Sequence, residues 1–197
     1  TSKIDNVAIQ SGHPLYHHAI FISEDGDWAV IQQGMNTVDR TARRYHWISG
    51  ECKNFVVEPH KAIVGDKMRE KVLNLTSKDS DGCRNLITDL AKEDPKRTFK
   101  MLKSVRPKYQ SSLEGWLFNR ETQQQIDYLR LPARVNWRAL RKAYESQVKS
   151  FEELISIQGV GPATIRGLTI VSELVYGEKP SWRDPIKYSF AFGGKDG

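Results

Sequence analysis

The chain has 197 residues, of which 39% are hydrophobic and 27% charged, with a formal net charge of +6 at pH 7. This composition predicts a globular protein with a buried core and excludes a low-complexity or fibrous chain. No apolar run approaches the length that crosses a bilayer, so we expect no membrane partner. The two isolated cysteines, Cys52 and Cys83, exclude a disulfide framework and favour a cytoplasmic location.

The ionisable residues are distributed unevenly. Residues 92–142 hold 13 Lys and Arg against 5 Asp and Glu, which accounts for the whole basic excess. All five histidines lie within residues 1–60. The basic segment suggests a nucleic-acid backbone as partner, and the histidines place proton or metal chemistry in the N-terminal part.

The N-terminal part predicts a small sheet. "YHHAIFIS" (16–23) and "WAVIQQ" (28–33) are typical of paired strands, and Asp25-Gly26 between them is typical of a tight hairpin turn. The sequence "TVDRTARRYHWIS" (37–49) predicts a short basic helix or a loop. "NFVVEPH" (54–60) predicts a third strand that Pro59 ends.

From about Ser80 the apolar spacing becomes helical. Helices are predicted within 83–95, 95–105, 119–131 and 135–147, the last with Asn136 as its N-cap, and two more within 151–177. We therefore predict an α+β fold: an α/β N-terminal part with a hairpin-containing sheet over residues 1–80, followed by a basic, all-helical DNA-binding part over residues 81–197.

The segment "FEELISIQGVGPATIRGLTIVSELVYG" (151–177) carries the most specific local pattern. Two apolar-periodic segments flank Gly159-Val160-Gly161, and Pro162 suits the first turn of the second helix. The segment resembles the helix-hairpin-helix motif (151–176) of DNA repair proteins. That resemblance implies backbone binding by Gly159, Val160, Gly161, Ala163 and Arg166 around the N–H groups that open the second helix.

The helix-hairpin-helix resemblance leaves a base-excision DNA glycosylase as a third interpretation. Asp184 follows the hairpin at about the distance of that family's aspartate. Against this, Ala163 occupies the place where bifunctional glycosylases carry lysine, and Asp184-Pro185 also suits a helix N-terminus.

The hairpin itself resembles the phospholipase D superfamily motif, H-x-K-x(4)-D followed by G-S-x-N. His18, Asp25, Gly34 and Asn36 fall near those positions, with Ile20 and Met35 replacing the lysine and serine. The resemblance implies His18 as nucleophile or general acid, Asp25 as the motif aspartate and Asn36 as a phosphate or site-holding residue. It also implies no metal cofactor and two motifs meeting across a pseudo-twofold axis or in a homodimer.

The same region admits a metal-dependent alternative. His17 or His18, with His46, His60, Glu58 and either Asp25 or Asp27, would bind Mg²⁺ or Mn²⁺ and activate water if folding brings them together. Arg43 and Arg44 suit bidentate contact with a scissile phosphate, or equally an ion pair with Asp39 or Glu51.

Several segments together, among them "RTARRYHW", "GVGPAT" and "SWRDPIKYSFAFGGKDG", resemble an archaeal and bacterial family catalogued as domain-of-unknown-function family 763. The resemblance implies little about activity beyond the helix-hairpin-helix. We expect a DNA-binding protein of DNA repair or maintenance, a structure-specific nuclease with His18 favoured and His17 and His60 as further catalytic candidates. The alternative is a helix-hairpin-helix module that binds DNA without cutting it.

Overall fold

A computed structural model of the chain describes residues 1–105, 132 and 134–189. The chain forms two compact units. The sheet unit comprises residues 1–81 and the described residues from 181 onward, and the helical unit comprises residues 82–180. The first boundary between the two units lies after residue 81, and the sequence analysis places it after residue 80. The residues after 180, predicted to belong to the helical part, instead form part of the sheet unit.

The sheet unit contains two sheets within its described residues. Its strands are β1 (Ile9–Gln10), β2 (Leu15–Ile22), β3 (Trp28–Asn36), β4 (Thr41–Ile48), β5 (Ala62–Gly65), β6 (Leu73–Asn74) and β7 (Tyr188–Ser189). The larger sheet has the order β2-β3-β4-β5-β7, antiparallel except for the parallel pair β5 and β7, and β1 pairs with β6. A short π-helical turn, Ile4–Ala8, precedes β1.

The hairpin of β2 and β3 agrees with the sequence prediction. The strands pair from Leu15 opposite Gly34 to Ile22 opposite Trp28, and Gly26 in the turn has φ +87°. That left-handed conformation is one that glycine adopts without steric cost. Strand β2 lies at the edge of the sheet.

Two predictions for the following segments are wrong. Residues 41–48, within the predicted helix or loop, form β4, whose side chains alternate between buried and half-exposed. The predicted strand at 54–60 is irregular because the Asn54 Oδ1 accepts from the N–H groups of Val56 (2.7 Å) and Val57 (2.8 Å). Such local bonds compete with a strand ladder, and Glu58 has φ +45°.

The helical unit contains helices where the sequence predicts them. They are α1 (Asp81–Ala91), α2 (Pro95–Val105), α3 (Trp137–Ser146), α4 (Phe151–Ser156) and α5 (Pro162–Tyr176). The Asn136 Oδ1 accepts from the Ala139 N–H at 3.1 Å, which confirms the predicted N-cap. The helix predicted at 119–131 lies outside the described residues. None of the described helices has the length and apolarity that crossing a membrane requires.

Candidate functional site

Strand geometry places the two adjacent histidines on opposite faces of the larger sheet. His18 is opposite Gln32, which is opposite Tyr45, and these side chains share the inner face with the core. His17 is opposite Gln33 in the same ladders, so its side chain lies on the outer face. Both histidines are exposed because β2 is the edge strand.

A buried carboxylate, Asp5, organises the inner face. Its Oδ2 accepts from the Gln32 amide nitrogen and from the Trp47 indole N–H at 3.0 Å, and its Oδ1 contacts the His60 Nε2 at 2.5 Å. The Asp5 side chain is fully buried. Three donors around one carboxylate offset the cost of burying its charge.

This arrangement fixes the tautomer of His18. A carboxylate only accepts, so the Gln32 amide nitrogen faces Asp5 and the Gln32 oxygen faces outward. That oxygen accepts from the Ser2 hydroxyl at 2.7 Å and lies 3.1 Å from the His18 Nδ1. His18 therefore donates from Nδ1, so its neutral form has its lone pair at Nε2, the nitrogen from which imidazole attacks or takes a proton.

His60 is held in the same way by Asp5. Its Nε2 donates to the carboxylate, and its ring packs edge-on against Trp47 with 4.5 Å between centroids. The ring borders a polar pocket of about 340 Å³ that Asn74 and Lys187 also line. The structure thus connects two predicted candidates, His18 and His60, through Gln32 and Asp5.

The outer face carries a second, looser polar group. Gln33 lies between His17 and Arg44 in the ladder and accepts from the Tyr16 hydroxyl at 2.6 Å. His46, two residues beyond Arg44, is half-buried, and its Nε2 has no hydrogen-bond partner among the described residues. Burial and the nearby Arg44 charge lower the pKa of His46.

The constellation that the phospholipase D resemblance implies does not assemble. Asp25 lies in the hairpin turn and is exposed, whereas Asn36 ends β3 at the opposite end of the hairpin. Strand β3 advances by eight residue steps from Trp28 to Asn36, so the two ends of the hairpin are roughly 26 Å apart. Asn36 caps the next turn, since its Oδ1 accepts from the N–H groups of Val38 and Asp39.

Arg43 does not present its guanidinium to a ligand. Its two terminal nitrogens donate to the two carboxylate oxygens of Asp184, and both side chains are buried. Asp184 also accepts from the N–H groups of Arg69 (2.7 Å) and Ile186 (3.1 Å). Asp184 is therefore an anchor for the C-terminal segment and not the predicted helix N-cap.

The metal-dependent constellation is divided between places. His17 and His46 lie on the outer face. His18 and His60 belong to the group of side chains hydrogen-bonded around Asp5, the Asp5 network. Glu58 pairs with Lys78 at 3.1 Å. Within residues 1–105, 132 and 134–189, no group of three or more His, Cys, Asp or Glu side chains is arranged to hold a metal ion.

His13, which sequence analysis did not single out, has a strongly shifted pKa. It is 4% exposed, and its Nε2 lies 2.9 Å from the Thr41 hydroxyl. Burial, with smaller contributions from the charges of Arg43 and Arg69, lowers its pKa to about 4. The folded protein therefore keeps His13 neutral.

This histidine predicts a pH dependence of stability. An unfolded chain protonates His13 near pH 6.5, whereas the folded chain resists protonation until about pH 4. We expect the free energy of unfolding to fall as the pH drops through that window, by up to about 3 kcal/mol. Urea unfolding at pH 7.5 and 5 measures the loss, and His13→Gln should reduce it; an equal loss in both proteins would contradict this assignment.

In the helical unit, the segment between α4 and α5 makes a tight glycine turn, residues 157–161. Gly159 has φ +93°, and Val160 is fully buried. Gly161 is the N-cap of α5, in extended backbone, with no side-chain cap and nothing within 4 Å of where a Cβ would stand. The first N–H groups of α5 have no intrahelical acceptor, so this helix start suits an anion.

Two further residues that the sequence analysis names as DNA-binding candidates lie near that helix start. Ala163 is half-exposed in the first turn of α5, and Arg166 follows one turn further on. Arg166 is half-buried, and burial lowers its pKa.

Sequence reasoning missed Asp5, Gln32 and Trp47 because none belongs to a recognisable motif. The available signal was one acidic residue within the apolar segment "IDNVAI". A carboxylate in such a run predicts a buried, hydrogen-bonded group, but the sequence does not show its partners.

The fold and site define an α+β protein in which a buried carboxylate orients two histidines and a helical unit presents a glycine turn. The chain belongs to the family described as Protein of unknown function (DUF763), whose model matches residues 1–197. Comparison with curated proteins and with solved structures gives no match.

Proposed function

We propose that this protein binds DNA by its backbone and hydrolyses phosphodiester bonds, as a nuclease of DNA repair or maintenance. The observation that carries the proposal is the uncapped, open start of α5 at Gly161, in the segment that resembles a helix-hairpin-helix. A phosphate oxygen there accepts from the N–H groups of the first turn and gains from the helix dipole. Such contacts hold DNA without reading its sequence.

The cutting chemistry is assigned to His18. Gln32 accepts from the His18 Nδ1, so the Nε2 of this exposed histidine attacks phosphorus. The P–N bond forms as the P–O bond to the leaving strand breaks, and the leaving oxygen takes a proton from solvent. Water then cleaves the P–N bond and regenerates the imidazole. This route needs no metal ion; a requirement for Mg²⁺ or Mn²⁺ would support water activation instead.

The binding assignment predicts opposite effects on stability and affinity from one substitution. Gly161→Asp supplies a carboxylate cap, so we expect the free energy of unfolding to rise by about 0.5 kcal/mol. The same carboxylate accepts hydrogen bonds from the first N–H groups of α5 and repels phosphate, so DNA affinity should fall at least ten-fold. Fluorescence anisotropy with labelled duplex and urea unfolding measure the two effects.

Gly50→Asp is the matched control for that charge change. Gly50 also has open space around its Cβ position, but it lies in the sheet unit, far along the chain from the turn. Equal affinity losses in the two variants would contradict binding at the glycine turn.

The catalytic assignment is tested by comparing adjacent histidines. We expect His18→Ala to reduce cleavage at least 100-fold, because it removes the attacking nitrogen, and His17→Ala to change it less than three-fold. The assay uses labelled single-stranded, duplex and branched DNA with EDTA, Mg²⁺ or Mn²⁺. Cleavage that persists in EDTA and is lost in the His18→Ala variant supports the proposed step.

Binding without cutting under every condition would favour the non-catalytic DNA-binding module. Cleavage that requires metal and survives His18→Ala would contradict the assignment to His18. The glycosylase interpretation is the least favoured, because both oxygens of Asp184 accept hydrogen bonds within the sheet unit.

A further inference from the structure

A basic groove lies along α3 in the helical unit. It has a volume of about 430 Å³ and is lined by Trp137, Arg138, Arg141, Lys142 and Glu145. We propose that this groove binds one unpaired nucleotide of a single-stranded DNA segment. This inference rests on the proposed DNA binding and specifies the substrate as DNA with a single-stranded segment.

The glycine turn packs against the start of α3, next to the first residue of the groove. The Asn136 Oδ1 caps α3, and its Nδ2 donates to the Gly159 carbonyl at 3.1 Å. A Cβ on Gly159 would lie 3.2 Å from the Ala139 Cβ, so the turn packs directly on the start of α3. The groove begins at Trp137, the residue after this junction.

The groove's chemistry favours a nucleotide over a phosphate alone. The Trp137 ring is half-exposed and is held edge-on by Phe99, with 5.2 Å between centroids and 81° between planes. A positioned aromatic ring of this kind stacks with any base. Arg138, Arg141 and Lys142 are exposed beside it and complement phosphate charge.

The charge balance of the groove also favours an anionic ligand. Three cations and one carboxylate, Glu145, line it. Its volume falls in the range of about 300–1,000 Å³ that small-molecule sites occupy, and one nucleotide fits within that range. An acidic peptide meets the charge requirement but does not use the aromatic ring.

The test compares labelled duplex with the same duplex carrying a 3′ or 5′ oligo-dT tail, by fluorescence anisotropy across a salt titration. We expect Arg141→Gln to weaken tailed-DNA binding about five-fold, to lower the salt slope by about 0.7, and to leave blunt duplex unchanged within two-fold. Trp137→Leu should weaken tailed-DNA binding about ten-fold, and Trp137→Phe should retain most of it. Lys67→Gln, in the sheet unit, is the matched charge control.

The outcomes separate this inference from the proposed function. If Gly161→Asp weakens both DNAs while Arg141→Gln behaves like Lys67→Gln, the groove assignment is overturned and backbone binding stands. If Arg141→Gln weakens tailed DNA and Gly161→Asp weakens neither, the groove is supported and the glycine-turn assignment falls. Displacement of the tail by poly-glutamate as readily as by oligo-dT would overturn the nucleotide assignment.

Discussion

Asp184→Asn should destabilise the protein by about 3–5 kcal/mol. The Arg43 guanidinium would then be buried without its carboxylate, and a buried uncompensated charge is among the most costly defects in a folded protein. The N–H groups of Arg69 and Ile186 would also have a weaker acceptor. Urea unfolding at pH 7.5 measures the change.

A double variant and a surface pair provide the controls for this prediction. Arg43→Met with Asp184→Asn should recover at least 1 kcal/mol relative to Asp184→Asn alone, because the orphaned charge is gone. Glu51→Gln, which removes the half-exposed ion pair with Lys61, should cost less than about 1 kcal/mol. Equal losses for Asp184→Asn and Glu51→Gln would show that the buried pair has no special role.

The second large effect is expected at Asp5. The amide introduced by Asp5→Asn would offer one acceptor oxygen to three donors, and its NH₂ group would face one of them, so the substitution should cost about 2–4 kcal/mol. Gln32 would also lose the carboxylate that fixes its orientation, so the proton of His18 would no longer be confined to Nδ1. Thermal unfolding measures the first consequence, and long-range ¹H–¹⁵N NMR of the His18 ring measures the second.

Asp25→Asn, the same substitution in the exposed hairpin turn, is the control for Asp5→Asn. It should change stability by less than about 0.5 kcal/mol and leave the His18 spectrum unaltered. An unchanged His18 tautomer in folded Asp5→Asn protein would contradict the orienting role of the Asp5 network.

The local elements were predictable where their determinants are adjacent in sequence. Asp25-Gly26 between two apolar runs was sufficient to predict the hairpin, and Asn136 with the periodic residues after it was sufficient for α3. In both cases the stabilising contacts lie within a few residues of one another, so propensity and turn chemistry decide the structure.

Strand β4 and the candidate site could not be predicted in this way. Arg43 points inward from β4, which breaks the alternation that identifies a strand, and its partner Asp184 is 141 residues away. The Asp5 contacts with Gln32 and His60 likewise span 27 and 55 residues. A single sequence does not encode such pairings in any local pattern.

The return of residues 181–189 to the sheet has a consequence for biosynthesis. Strand β7 pairs in parallel with β5, and Asp184 neutralises Arg43. The ribosome makes β5 and Arg43 long before it makes β7 and Asp184. The sheet unit is therefore interrupted along the chain by the helical unit, which is complete by Pro180. During translation the residues of the helical unit all emerge before β7, so the sheet unit gains this strand only after the helical unit has been made, although β1 to β6 precede it.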